Sequence, residues 1–266
     1  MSQASGTTAR SKGVVILTEG RSGSNWLGSL ISGTGVLGVS REWFSRRGLE
    51  GAPQPATGAE LEREVLARAS TPNGFFAIKL FPAHVHRFER LYGYDLLHSL
   101  NQQHDILFVR LTRKDRIRQA VSFVRGLQTK KWTKLQAKGE NVHYDFEAIC
   151  RCYFMIDRSY AYWQSYCHLR QLREVHFAYE DMLPDPMPFV AAVANHAGVA
   201  SIELPKSRHS VQRDEVTEEW VARFQADLPT SDVVPASATH GAPARTPANF
   251  LRFLRGRHLK PYPYQY

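Results

Sequence analysis

The apolar run Val14 to Thr18 breaks off into Glu19-Gly20-Arg21-Ser22-Gly23-Ser24, and helical spacing then resumes from Asn25 to Ile31. A strand that ends in a Gly/Ser turn and opens a helix restricts the fold more than any other stretch of this chain. Such a turn gathers backbone N–H groups at a helix N-terminus, where they lack intrahelical partners and the helix dipole favours negative charge. Gly23 lets the backbone come close to a ligand. Ser22 and Ser24 supply hydroxyls, and Arg21 supplies a planar, permanently charged donor. Composition of the loop thus points to an anion, although an ordinary strand-to-helix turn capped by Ser24 or Asn25 has the same pattern. The Gly-Lys-Ser/Thr ending of a nucleoside triphosphatase loop is missing.

Three more short apolar runs, Phe75 to Leu80, Ile106 to Leu111 and Val175 to Tyr179, read as buried strands. Helical patterns lie between them. AELEREVLARA carries Leu61, Val65 and Leu66 on one face, and DRIRQAVSFVRGL carries Ile117, Val121 and Val124. A long aromatic stretch from Tyr144 to about Leu172 is helical in period. Short strands alternating with helices predict an α/β fold: a P-loop-type central parallel sheet flanked by helices on both faces. Ligands of such sheets lie beyond the carboxyl ends of the strands. Residues 1–266 are expected to form a single domain, with 1–12 flexible. Ser45 to Gly58 and the Pro/Ala/Ser/Thr-rich segment over about 229–248 are expected to be loops or lids.

The net charge of +9 and pI near 9.6 favour an anionic partner. The densest basic patches, Arg113 to Arg118, Lys130 to Lys134 and Arg252 to Lys260, come with no zinc-finger, helix-turn-helix or RNP signature, so nucleic acid is not the expected partner. No apolar run approaches the roughly 20 residues that span a bilayer. The polar start MSQASGTTARSKG has no apolar h-region, so no secretory signal is expected. Cys150, Cys152 and Cys167 are an odd number, which argues for reduced thiols and a cytoplasmic setting. Cys150 and Cys152 fall at i and i+2 of a helix and point to different sides, so no metal site is expected there.

The sequence R-S-G-S-x-x-L after a first strand resembles the phosphosulfate loop of sulfotransferases, and in particular that of the bacterial trehalose 2-sulfotransferase family. The resemblance continues in order along the chain. GVLGVSREWF is similar to that family's segment after the first helix, and FAIKLF to its next strand. LTRKDRIRQAVSFVRGLQTKKW resembles its long R-x-D-x-x-x-QAVS element. FAYEDMLPDP matches a segment seen across sulfotransferases, and TEEWVARF resembles a late helix. The matches run from about residue 14 to 224. Asn25-Trp26 fits the cytosolic and Golgi sulfotransferases better than the trehalose family.

The resemblance implies 3′-phosphoadenosine 5′-phosphosulfate (PAPS) as sulfuryl donor, PAP as its product, no metal, a small hydroxylated acceptor such as a sugar, glycolipid or natural product, and a homodimer. The phosphosulfate would lie on Arg21, Ser22, Gly23, Ser24 and Asn25, and the 3′-phosphate on Arg113 and Ser122. Trp26 would stack on adenine or belong to the core, and Tyr179 would line the same pocket or simply close its strand. For catalysis the resemblance implies Glu42 as the base, with Arg21 and then Lys79 stabilising the leaving phosphate. The cytosolic enzymes use a histidine two residues after the strand lysine; here that position is Phe81, with His84 and His86 nearby. Gln128 and Trp132, with Glu42, would face the acceptor, and Arg252 and Arg255 are candidates to cover the 3′-phosphate. Two other functions fit the loop: a non-catalytic nucleotide or polyanion binder on the same fold, and a phosphotransferase with a degenerate P-loop.

Overall fold

The computed structural model describes residues 10–45, 57–129, 142–205, 215–231 and 246–255. The described residues fall into two compact units, one drawn from Met1–Lys114 and Tyr160–Ser210 and one from Asp115–Ser159 and Val211–Tyr266.

The first unit holds the sheet. Strands β1 (Lys12–Leu17), β2 (Phe76–Leu80), β3 (Asp105–Thr112) and β4 (Glu174–Ala178) lie in the order β2-β1-β3-β4, all parallel. The α/β fold with a central parallel sheet is therefore as expected, and each strand falls within two residues of its apolar run. β1 is central, and Val14 to Leu17 have no exposure at all. A strand covered on both faces must be apolar throughout, which is why it reads as a continuous run and does not alternate.

Side-chain alternation sorts the core into two layers. Val15, Leu17, Phe76, Ile78, Leu80 and Phe108 pack with α2 (Gly58–Ala69), α3 (Pro82–Tyr92), α4 (Leu96–Gln103) and Trp163 and Cys167 of α6 (Phe146–Leu169). Val14, Ile16, Ala77, Val109 and Leu111 pack on the opposite face with α1 (Ser24–Gly33) and α8 (Met187–Ala197), which follows the short α7 (Tyr179–Met182). Each Val, Leu, Ile or Phe among them, once buried, stabilises by roughly 1.5–3 kcal/mol. From β1 the chain crosses to β2 on one side, and β3 lies on the other, so the strand order reverses at β1. The crevice at that reversal is where open sheets of this kind receive ligands.

Local signals fix the helix ends. Thr57 and Glu60 close a capping box on α2, and Asp95 caps α4. The second unit comprises α5 (Arg116–Thr129), residues 146–159 of α6, α9 (Glu215–Asp227) and α10 (Pro247–Leu254). Within it Arg118 pairs with Asp115 at 2.8 Å and with Glu218, Tyr144 donates to Asp227 at 2.7 Å, and Phe146 packs on Phe224. The three cysteines are buried free thiols. Among the described residues no helix is long and apolar enough to cross a membrane. Most of both expected loops, residues 46–56 and 232–245, lies outside the described residues, as does residue 256 onward.

One buried carboxylate gives the first unit a pH signature. Glu62 of α2 accepts from Tyr94 at 2.7 Å and from Ser99 at 3.1 Å, yet burial outweighs both bonds and raises its pKa above the ordinary carboxylate value. A raised folded-state pKa means that the native protein binds more protons than the unfolded one. Its stabilising contribution is present at low pH and is lost as pH rises through the folded value. Glu62→Gln keeps an acceptor for Tyr94 and removes the charge. In urea titrations from pH 4 to 8 the variant should gain on the wild type as pH rises, then hold a constant lead.

Candidate active site

The carboxyl end of β1 is held from four directions at Thr18. Its N–H donates to the Leu80 carbonyl at the end of β2 (3.1 Å), and its own carbonyl accepts from the fully buried Trp163 indole (2.8 Å). The Thr18 hydroxyl lies 2.7 Å from the Leu111 carbonyl of β3 and 2.8 Å from the Ser22 hydroxyl. The loop after it is tight. Glu19 is buried and accepts from the Gly20 N–H at 2.8 Å, and Arg21 takes the left-handed conformation at φ 65°.

Gly23 is the N-cap of α1 at φ 84°, and no side chain caps this helix. Neither Ser24 nor Asn25 performs the capping role that an ordinary turn would give it. A Cβ on Gly23 would sit 2.1 Å from the Tyr179 ring, so both the backbone conformation and the space require glycine. Tyr179 in turn meets Trp26 edge-on with centroids 5.9 Å apart, and the Arg113 guanidinium lies 5.1 Å over the same ring. Arg113 also donates to the Arg21 carbonyl at 3.0 Å and stands 3.6 Å from Glu180. Arg21, Gly23, Trp26, Arg113 and Tyr179 therefore form one cluster around the loop.

Beside it lies a second constellation. Lys79 is the only charged residue of β2, and its side chain is just 3% exposed. An ammonium so far from water needs charged or polar partners. It finds Glu42 at 3.0 Å and the Asn25 carboxamide oxygen, and it stands 5.8 Å over the Phe81 ring. Glu42 is brought there by the backbone: Arg41 bridges to Ile78, and the Lys79 N–H donates to the Arg41 carbonyl at 3.0 Å. Glu42 is thus paired with Lys79, while Arg41 lies over Trp43. His84 opens α3, its ring stacked on Phe81 and its Nδ1 accepting from the Phe81 N–H at 3.3 Å. Burial, opposed by Glu42 and reinforced by Lys79 and Arg87, pushes its pKa down to about 4. Such an imidazole is neutral near pH 7 and a weak proton acceptor.

Residues 13–227 match the family described as Stf0 sulphotransferase. The chain belongs to the Stf0 sulfotransferase family. No curated protein matches the sequence. Among solved structures, the sulfotransferase domain from the Synechococcus PCC 7002 olefin synthase is similar at 14% identity and a TM-score of 0.36, covering 94% of this chain and 96% of that one. As a sulfotransferase the chain is an enzyme that transfers sulfuryl groups, and the family implies a small-molecule acceptor.

The sulfotransferase loop differs in detail from its sequence reading. Ser22 is fully buried with its hydroxyl turned to Thr18, and Ser24 is 4% exposed; Asn25 is the exposed polar residue of the loop. The side chain of Ser22 holds the turn in shape instead of facing outwards, because it sits directly beneath the strand end. Gln128, expected at the acceptor, has its carboxamide committed to the His143 backbone, donating at 2.8 Å and accepting at 3.1 Å. It ties the end of α5 to the chain ahead of α6. Ser122 is half-buried on α5 in the second unit, and Arg252 and Arg255 stand at the end of α10. Trp132 and the patch Lys130 to Lys134 lie outside the described residues. Thr18 and Trp163 were not among the residues singled out in the sequence. A threonine ending an apolar run is a faint signal for the first, and Trp163 is one aromatic among many in α6. Among the described residues no group of three His, Cys, Asp or Glu is placed to hold a metal ion.

The Gly23 contact is directly testable. Gly23→Ala should destabilise the protein by about 1–3 kcal/mol, the cost of a strained left-handed residue plus a clash. In the Tyr179→Ala background the same change should cost less, because only the backbone term remains; urea unfolding of the four proteins measures the difference.

Proposed function

We propose that this enzyme moves a sulfuryl group from PAPS to a hydroxyl of a small-molecule acceptor, a sugar, glycolipid or natural product, with Glu42 as the base and no metal in the step. The observation that carries the reading is Lys79, a buried ammonium shared by Asn25 of the loop and the Glu42 carboxylate. Family membership supplies the reaction class.

The donor's phosphosulfate suits the start of α1. A helix N-terminus without a side-chain cap, three residues after Arg21 and carrying the exposed Asn25, offers N–H donors and positive charge to an anion. Arg21 and Lys79 then stabilise the leaving phosphate by charge and hydrogen bonds. Arg113 and Ser122 are assigned to the 3′-phosphate on the strength of the family element that contains both. Trp26 and Tyr179, already in contact, are assigned to the adenine.

Transfer then follows. The acceptor O–H bond breaks and its proton passes to Glu42. The acceptor oxygen forms a bond to sulfur while the bond from sulfur to the phosphate oxygen breaks. That electron pair stays on PAP, opposite Arg21 and Lys79. A carboxylate base is favoured over His84, whose Nδ1 already accepts from the Phe81 N–H.

Labelled PAPS and a panel of hydroxylated acceptors test the reading. Transfer to at least one acceptor is expected, and Glu42→Gln should lower it by about 100-fold or more, the usual range for a lost general base. Failure of PAP to bind would sink the donor assignment. If Glu42→Gln turned over like the wild type, another group would be the base.

A further inference from the structure

Glu42 and the leaving-group phosphate need the same ammonium. Lys79 has three N–H donors, and two of its contacts are Asn25 and Glu42. With Nζ only 3.0 Å from Glu42 Oε1, an arriving acceptor hydroxyl meets a carboxylate of which one oxygen is already held by an ammonium. The Glu42 side chain is 37% exposed and Lys79 is 3% exposed, so the pair has one end open to an arriving substrate and one end fixed in the sheet. Asn25 reaches the ammonium from the first turn of α1, and Glu42 from the segment beside β2.

We propose that the Lys79–Glu42 ion pair is a latch on the base: the donor's phosphosulfate, arriving at Arg21 and Asn25, draws the Lys79 ammonium off Glu42, so that Glu42 can accept the acceptor's proton only on the donor-loaded enzyme. The inference rests on the donor assignment made above. As the pair stands, the ammonium neutralises the carboxylate, which offsets the cost of holding Lys79 away from water. In the loaded enzyme the phosphosulfate takes over as counter-charge, and Asn25 moves with it as the neutral partner common to both states. Acceptor deprotonation is thereby tied to a filled donor site, and the donor binds before the acceptor reacts.

The latch makes a prediction of unusual sign, measurable without knowing the acceptor. If the donor must pull Lys79 from Glu42, then removing the carboxylate's charge should strengthen nucleotide binding. Calorimetric titration with PAP should show Glu42→Gln binding about fivefold more tightly than the wild type, the worth of a partly exposed ion pair. In the Lys79→Met background the same change should bring no gain, because there is no ammonium to release. Should Lys79→Met fail to fold, as judged by its thermal transition, Lys79→Gln takes its place.

A gain that persists without Lys79 would mean simple repulsion between Glu42 and the nucleotide, and the latch would be wrong. Equal or weaker binding by Glu42→Gln would overturn it as well, with the donor assignment left standing. No PAP binding by the wild-type enzyme would remove both.

Discussion

The site depends on how one residue, Thr18, is held. The carboxyl end of β1 meets the ends of β2 and β3 and the buried Trp163 through the backbone and hydroxyl of this threonine. A loop that leaves a strand end free to move would present its N–H groups in many directions. Here every polar group of Thr18 has a partner, and all the named bonds are shielded from water, where leaving one unmade costs about 1–3 kcal/mol. The turn from Glu19 to Ser24 starts from a fixed point, so Gly23 can take its left-handed conformation under the Tyr179 ring and α1 can begin without a side-chain cap.

A second constraint comes from charge. Placing Lys79 in a strand of otherwise apolar residues takes an ammonium out of water, and the sheet offers it nothing. Its two polar partners come from elsewhere in the chain: Asn25 from the helix after the loop and Glu42 from the segment paired with the edge of β2. The same desolvation that makes Lys79 costly brings Asn25, in the first turn of α1, and a carboxylate to within one side chain of each other. Arg113 does the analogous work on the other flank, where one guanidinium touches the Arg21 carbonyl, the Tyr179 face and Glu180. The candidate site is thus built around two cations, the buried Lys79 and the half-buried Arg113.

Much of this was legible in the residues. The apolar runs gave the strands to within two positions, because strands covered on both faces have no room for polar side chains. The Gly/Ser turn located the loop, since glycine permits the left-handed backbone that the start of α1 takes at Gly23. Glu42 and Lys79 were singled out by their place in the family's motifs, and they do meet. The directions taken by Ser22 and Gln128 were not legible, for a common reason. A hydroxyl or carboxamide in a motif can point outwards or bond inwards to backbone, and local sequence does not distinguish the two. Ser22 turns to Thr18 and Gln128 to His143, partners 4 and 15 residues away.

The sequence by itself determined the family, the parallel α/β class and the position of the loop, because these follow from short-range patterning and from motifs in a fixed order. Only the tertiary structure decided that Glu42 pairs with Lys79 and not with Arg41, that His84 is held neutral by burial, and that Trp163 anchors a loop 145 residues earlier. Those outcomes depend on which groups are cut off from water together, and that is settled only when strands and helices distant in the chain close over one another.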